Sequence, residues 1–338
     1  MSPASVARAR TARRLRSAAA VGVAGVALFA LRDRIPDPDA VWASVQRVNL
    51  GWLAVAVIAE GLSMRLFAGL LRRLLRSGGI TLTRPRSVAV AYARNAVSSS
   101  LPAGPVLSVA FTIREFGRLG ASKPLSVATL VLSAVYSTAT FTVLGLVALL
   151  GGDATRGPAL IALAAVAAAV FALARLRRRA GGRRSGASRR ILAAREAIRP
   201  TGRDRLVLAV LALANWLLDL ACLAAVCAAA GVGLGPHTVL LGYVAGKIAA
   251  TLAVVPGGLG VAELGMAATF VGAGVTGSMA AAVVALYRLI SYWAVLAAGW
   301  VAWLLLRDGV RARLAAAGRW LLGVLGRGED EADMRPAG

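Results

Sequence analysis

Long apolar runs alternate with short arginine-rich segments along most of this chain, and two of the longest runs are interrupted at their middle by proline and glycine. A run of about 20 apolar residues crosses a bilayer as a helix, and inside the bilayer no loop or sheet edge can replace it, because every backbone polar group must be satisfied internally. The runs are Ala18–Leu31, Leu50–Leu71, Ser87–Thr112, Leu125–Leu150, Pro158–Leu173, Leu206–Gly231, Val239–Phe270 and Met279–Leu306. With a mean hydropathy of +0.72 and 16% charged residues, an ordinary soluble domain is excluded. The net charge of +24 sits in loops without the stacking aromatics or groove-reading helix that nucleic acid requires, so no nucleic-acid partner is expected.

Cytoplasmic loops of membrane proteins carry the excess of lysine and arginine. That places residues 1–17, the segment Arg72–Arg86, the loop 175–205 and the tail 307–338 inside. Three apolar runs separate Arg72–Arg86 from loop 175–205, and three full crossings cannot return the chain to the same face. One of them must enter and leave on one side. Ser87–Thr112 is the candidate, because Pro102-Ala103-Gly104-Pro105 breaks its middle. The same parity holds between 205 and 307, where Pro256-Gly257-Gly258-Leu259-Gly260 breaks Val239–Phe270.

The expected architecture is an all-α polytopic membrane protein: an inverted-topology repeat with two re-entrant, Pro/Gly-broken helical hairpins. Six full spans complete it, within a transmembrane domain over 18–306, and both termini are cytoplasmic. The repeats cover about 50–150 and 206–306, the first hairpin dipping from the inner face and the second from the outer. Pro102 and Pro256 are each followed eighteen residues later by a small, turn-forming triplet, Gly120-Ala121-Ser122 and Gly274-Val275-Thr276. Paired broken helices of this kind mark the binding site of secondary transporters. The segment Val310–Leu325 alternates arginine with leucine and tryptophan, as an amphipathic helix on anionic inner-leaflet lipids does.

Each ionisable group inside a span costs roughly 2.5–3.5 kcal/mol on insertion scales and needs a reason to be there. The intramembrane charges are Glu60, Arg65, Asp219, Lys247, Glu263 and Arg288. Arg288 lies near the centre of the last span beside Tyr287 and Tyr292, and its planar fork suits a phosphate. Arg288, Glu263, Lys247, Asn95, Tyr287 and Tyr292 are the candidate substrate-binding residues. Pro102, Gly104, Pro256, Gly257, Gly258 and Gly260 form the breaker loops, whose half-helix N-termini favour an anion. Glu263 has Arg288 or Lys247 as partner, and Asp219 with Asn215 makes one polar stripe. Asn95, Ser98, Ser99 and Ser100 either line the cavity or satisfy backbone groups freed by Pro102.

Cys222 and Cys227, five apart in one run, point to different faces. His237 has no ligand-forming neighbour at metal spacing, and no Walker loop, GxGxxG or HExxH occurs. No catalytic residue, metal or cofactor is expected.

The stretch Leu252-Ala-Val-Val-Pro256-Gly-Gly-Leu-Gly-Val-Ala-Glu263, followed by Ala285-Leu-Tyr287-Arg288-Leu-Ile-Ser-Tyr292-Trp293, closely resembles the lysylphosphatidylglycerol synthase transmembrane (flippase-like) family. Asn95 through Leu101-Pro102-Ala103-Gly104 to Gly120-Ala-Ser122 is similar to that family's Asn-x-x-x-Pro-Gly-Gly block. The resemblance spans about Leu50 to Leu306 and implies a lipid-flipping membrane domain, with roles for Asn95, Pro102, Pro256, Gly257, Gly258, Gly260, Glu263 and Arg288. Two departures bear on the first half-site: Ala103-Gly104-Pro105 replaces Gly-Gly, and Ala134 stands where the family has arginine. The family's aminoacyl-transferase domain is not expected, since only a short tail follows Arg327.

The reading that unites these features is a transporter of an anionic or zwitterionic phospho- or glycolipid in the bacterial inner membrane. Its partner is the membrane lipid itself, with homo-oligomers or an envelope enzyme as further partners. The rival readings are a non-transporting partner of a lipid- or polyprenyl-phosphate-modifying enzyme, and an enzyme drawing on Glu115 or Glu196.

Overall fold

The computed structural model describes residues 48–101, 103–152, 156–157, 175, 198, 201–252 and 256–307. The runs Ala18–Leu31 and Pro158–Leu173, most of the basic loop, Pro102 and the expected interfacial helix lie outside these residues. Among the described residues every element is helical. In chain order they are α1 (Leu50–Ser77), α2 (Arg84–Ser100), α3 (Gly104–Gly117), α4 (Lys123–Leu150), α5 (Gly202–Ala229), α6 (Pro236–Leu252), a 3-10 turn (Pro256–Gly258), α7 (Val261–Gly272), α8 (Gly277–Arg288), a π turn (Leu289–Ala294) and α9 (Val295–Leu305).

Local sequence explains the helix starts. The Asn49 side chain accepts from the Gly51 and Trp52 amides, Ser122 accepts from Leu125, and Thr201 and Asp204 cap each other reciprocally. Pro85, Pro105 and Pro124 occupy first turns, where a missing N–H costs nothing. Helix α1 runs past its apolar run to Ser77, so Arg72, Arg73 and Arg76 sit on its last two turns instead of in a loop. Cations are favourable there, beside the negative end of the helix dipole.

Four helices are long and apolar enough to cross a membrane: Leu50–Ser77, Lys123–Leu150, Gly202–Ala229 and the continuous Gly277–Leu305. On α4 the exposed valines 127, 131, 135, 143 and 147 recur at helical spacing and form a stripe facing outward, while Ser126, Thr129 and Ser133 are buried. This inside-out pattern suits hydrocarbon, not water.

Element lengths recur in order. The first half runs 28, 17, 14 and 28 residues, the second 28, 17, 12 and 29. The turns recur too. Gly79 and Gly231 are left-handed just after α1 and α5, and Gly120 and Gly274 just before α4 and α8. After α3 and α7 the closing bonds correspond, Ala121 N to Phe116 O and Val275 N to Phe270 O.

Helices α1 and α5 run antiparallel in contact throughout: Asn49 N donates to Ala229 O (2.8 Å), Ser63 Oγ to Asn215 O (3.0 Å), and Arg73 Nη2 to Asp204 Oδ1 (2.8 Å). Helices α6 and α7 also pack antiparallel, closely enough that a Cβ on Gly242 would strike the Phe270 ring, one on Gly246 the Met266 side chain, and one on Gly265 the Ala245 carbonyl. At the first break Ala103 takes a left-handed conformation (φ 59°), and Gly104 lies directly under the last turn of α2.

A Cβ at Gly104 would collide with the Ser98 carbonyl oxygen, whereas one at Gly61 in α1 meets nothing within 4 Å. Gly104→Ala is expected to cost about 1–3 kcal/mol, as overpacking does. Gly61→Ala leaves stability unchanged or slightly raised by helix propensity. Thermal unfolding of the two purified variants in detergent checks this, and equal melting would show that the first break does not depend on close approach.

Candidate functional site

Two polar clusters lie within the bundle. The first surrounds the second break. Gly257 and Gly258 are left-handed (φ 69° and 63°), and Gly260 has φ 83°. The Gly257 carbonyl, released from helical bonding, accepts from Arg288 Nη2 at 3.0 Å, and Arg288 Nε bonds Glu263 Oε1 at 2.6 Å. The guanidinium carbon lies 4.3 Å from the centre of the Tyr292 ring, and the Tyr292 hydroxyl donates to the Ser99 carbonyl at 3.3 Å. Ser99 closes α2 at the first break. A Cβ at Gly257 would collide with that tyrosine ring. One aromatic side chain therefore joins the two interruptions, and the sequence-named Arg288, Glu263, Gly257 and Tyr292 form one unit.

Around the first break, Ser99 Oγ donates to Asn95 Oδ1 (3.0 Å), Ser100 Oγ to the Ala96 carbonyl (2.5 Å), and Trp300 Nε1 to Ser100 Oγ (3.1 Å). Asn95 also reaches Met64 Sδ at 3.9 Å. These contacts tie the end of α2 to its own preceding turn and to α1 and α9. Pro102 lies outside the described residues.

The second cluster is centred on Asp219. Its Oδ2 accepts from Tyr243 (2.8 Å) and pairs with Lys247 Nζ (2.6 Å), while Oδ1 accepts from Tyr287 (2.6 Å). The Lys247 ammonium sits 5.2 to 5.9 Å from the ring centres of Tyr243, Trp216 and Tyr287, within cation–π range of all three. Glu60 is buried beside Asp219. Trp216 is fixed by its own bond to the Ser137 carbonyl (2.9 Å) and by the Phe141 ring.

The sequence-named residues thus separate. Tyr287 and Tyr292 flank Arg288 in sequence, but five residues along a helix point about 140° apart by helical geometry, so Tyr287 faces Asp219 and Tyr292 faces Arg288. Lys247 pairs with Asp219, leaving Glu263 to Arg288. Asn215 lies on the polar stripe with Asp219 but spends its carbonyl and Oδ1 on Ser63. Arg65 is exposed and joins neither cluster. His237 Nε2 bonds the Ala148 carbonyl (2.8 Å), tying α6 to α4.

Trp216 and Tyr243 line the Asp219 cluster although the sequence pattern did not single them out. Both were findable, since Trp216 lies three residues before Asp219 and Tyr243 four before Lys247, the spacings that share a helix face. Arg94 of α2 is a further half-buried cation, its guanidinium 5.5 Å from the Phe67 ring centre.

Comparison with known proteins adds two findings. The family described as "Lysylphosphatidylglycerol synthase TM region" matches residues 17–299. A protein of Methanothermobacter thermautotrophicus, described as a UPF0104 membrane protein, is 34% identical over 93 residues, which is 28% of this chain and 28% of that protein's length.

Removing one member of a buried ion pair strands the other. Lys247→Met is therefore expected to lower stability by roughly 1–3 kcal/mol, since Asp219 keeps two hydroxyl donors. Combined with Asp219→Asn, the loss should be clearly less than the sum of the two single losses. A double-mutant cycle on thermal unfolding in detergent measures this, and strict additivity would show that the contact contributes nothing.

Proposed function

The chain belongs to the family of lysylphosphatidylglycerol synthase transmembrane regions, matched over residues 17–299, and from that premise we propose that it is a flippase-like transporter. It moves an anionic or zwitterionic phospho- or glycolipid across the bacterial inner membrane and performs no covalent chemistry of its own. The observation that carries the proposal is the position of Arg288, a cation deep in a long apolar helix, bonded to the carbonyl exposed by one break and stacked on the tyrosine that bonds the other. A guanidinium recognises phosphate through a planar fork of donors. Among the described residues its Nη1 has no acceptor, so a head-group phosphate can bind without the whole clamp dissolving.

In this reading the two halves are inverted repeats, and the pairs α2/α3 and α6/α7 are re-entrant hairpins opening on opposite faces. The antiparallel α1–α5 pair supports it, because these are corresponding helices running in opposite directions. Positive-inside placement of both termini follows, and alternating access is the rocking of one half against the other. The enzyme reading finds no support in Glu115, which is 4% exposed and paired with Arg118 at 3.0 Å.

Reconstituted in liposomes, the wild-type protein is expected to translocate a fluorescently labelled phosphatidylglycerol or phosphatidylethanolamine. Arg288→Gln should lower the rate by about tenfold or more at unchanged abundance, and Arg288→Lys should not restore it, because a point charge lacks the fork. A fully active Arg288→Gln protein would overturn the transporter reading. Orientation is checked by single cysteines replacing Lys123 and Gly277, both exposed and each the first residue of its helix, with Cys222 and Cys227 changed to alanine. In intact cells an impermeant thiol reagent should label position 277, and position 123 only after permeabilisation. Labelling of both from outside would remove the inverted hairpins.

A further inference from the structure

Glu60 lies near the middle of α1, 6% exposed, within hydrogen-bonding reach of the Asp219 carboxyl of α5. Its Oε2 is buried and, among the described residues, has no hydrogen-bond partner. Two ionised carboxylates are both acceptors only, so neither can bond the other. A hydrogen between them turns the same contact into a bond and gives the orphaned acid a partner. Charge leads to the same result. Glu60, Asp219 and Lys247 together carry one net negative charge when all are ionised, and one proton makes the group neutral, the state a low-dielectric interior favours.

Among the described residues, the remaining groups around Glu60 supply no second cation. Tyr243 and Tyr287 donate their hydroxyls to Asp219, and Tyr92 of α2 and Cys222 of α5 are near enough to sense the Glu60 charge. Lys247 is the one base in contact with the pair among the described residues, and it stands on α6, an arm of the second broken helix. Resting on the transporter reading, we propose that Glu60 and Asp219 form a proton-binding site with Lys247 as a movable counter-ion.

The step involves no redox chemistry. Protonated Glu60 donates its hydrogen to the Asp219 carboxylate, which remains bonded to the Lys247 ammonium and the two tyrosines. If α6 withdraws, the ammonium leaves and the two acids reach neutrality by holding two protons; when α6 returns, the ammonium replaces one of them, which is released to water while the other stays between the carboxyls. Movement of the second broken helix and proton occupancy are thereby linked, which gives lipid movement a proton to couple to.

The test is infrared difference spectroscopy on the purified full-length protein in liposomes, reading the C=O stretch of a protonated carboxyl at about pH 7, where a free glutamate is ionised. The wild type is expected to show the band. Glu60→Gln should abolish it, and so should Asp219→Asn, because Lys247 is then free to pair with an ionised Glu60. Glu115→Gln and Glu263→Gln should keep it. Gel filtration confirms that each variant is folded, and two independent band-removing substitutions guard against one that is not. A wild type without the band, or a band unchanged in both Glu60→Gln and Asp219→Asn, overturns the proposal. The readout requires no lipid movement, so a protein that shows the band and translocates no lipid loses the transporter reading and keeps the proton site.

Discussion

Helices embedded in hydrocarbon gain nothing by hiding apolar surface from one another, so their association depends on close packing and on the polar groups they satisfy across the interface. The α1–α5 pair meets that constraint along its whole length. Ala56, Ala59 and Ser63 on one helix and Ala212, Cys222, Ala225 and Ala229 on the other are buried, small enough to bring the backbones together. Each level of the pair has its own tie: a backbone bond at Asn49–Ala229, a hydroxyl to carbonyl bond at Ser63–Asn215, and an ion pair at Arg73–Asp204. The charged tie sits at the arginine-rich end, where head groups and water lower its cost. Glu60 and Asp219 belong to the same pair, so the proposed proton site lies within this helix contact.

The broken helices face the opposite problem. A break frees carbonyls and amides that a bilayer cannot solvate, so neighbouring side chains must take them. One helix does much of this for both breaks: Arg288 takes the Gly257 carbonyl, Tyr292 the Ser99 carbonyl, and Trp300 the Ser100 hydroxyl that itself bonds Ala96. The π turn Leu289–Ala294 follows Arg288, carries Tyr292 within it and precedes Trp300. Because one continuous helix caps both interruptions, a shift of that helix changes both at once. This is a physical route by which occupancy at one break reaches the other.

Much of this was legible in the sequence, for reasons that can be stated. Hydropathy located the four helices that, among the described residues, are long and apolar enough to cross a membrane, because length and polarity suffice for that. Proline with glycine located both interruptions, and Gly120 and Gly274 indeed take left-handed conformations at corresponding turns. Pairing was harder. Counting three intramembrane acids against three bases suggested mutual pairing or a polar cavity; Asp219 meets Lys247 and Glu263 meets Arg288, but Arg65 is exposed, and Glu60 faces an acid instead of a base. Which charges meet depends on the rotation and crossing of helices far apart in sequence, and periodicity within one helix carries no information about that. Tyr287 and Tyr292 show the same limit on a smaller scale, adjacent on paper and assigned to different clusters in space.

The two halves match in element length but not in charge. Asn95 and Lys247 are each the twelfth residue of their helix, α2 and α6, so an amide in one half corresponds to the ammonium in the other. Ala134 stands in α4 where the resemblance leads one to expect the counterpart of Arg288. A pair of equal half-sites would bury two arginines and two lysines, with repulsion that only four negative charges could offset. With Lys247 and Arg288 both in the second half, the acids gathered about them, Asp219, Glu263 and Glu60, exceed them by one negative charge, the charge that a proton on the Glu60–Asp219 pair would neutralise. Element lengths are shared between the halves while the charged pairs are not, and on the transporter reading this asymmetry puts head-group binding in the second half, next to the proposed proton site.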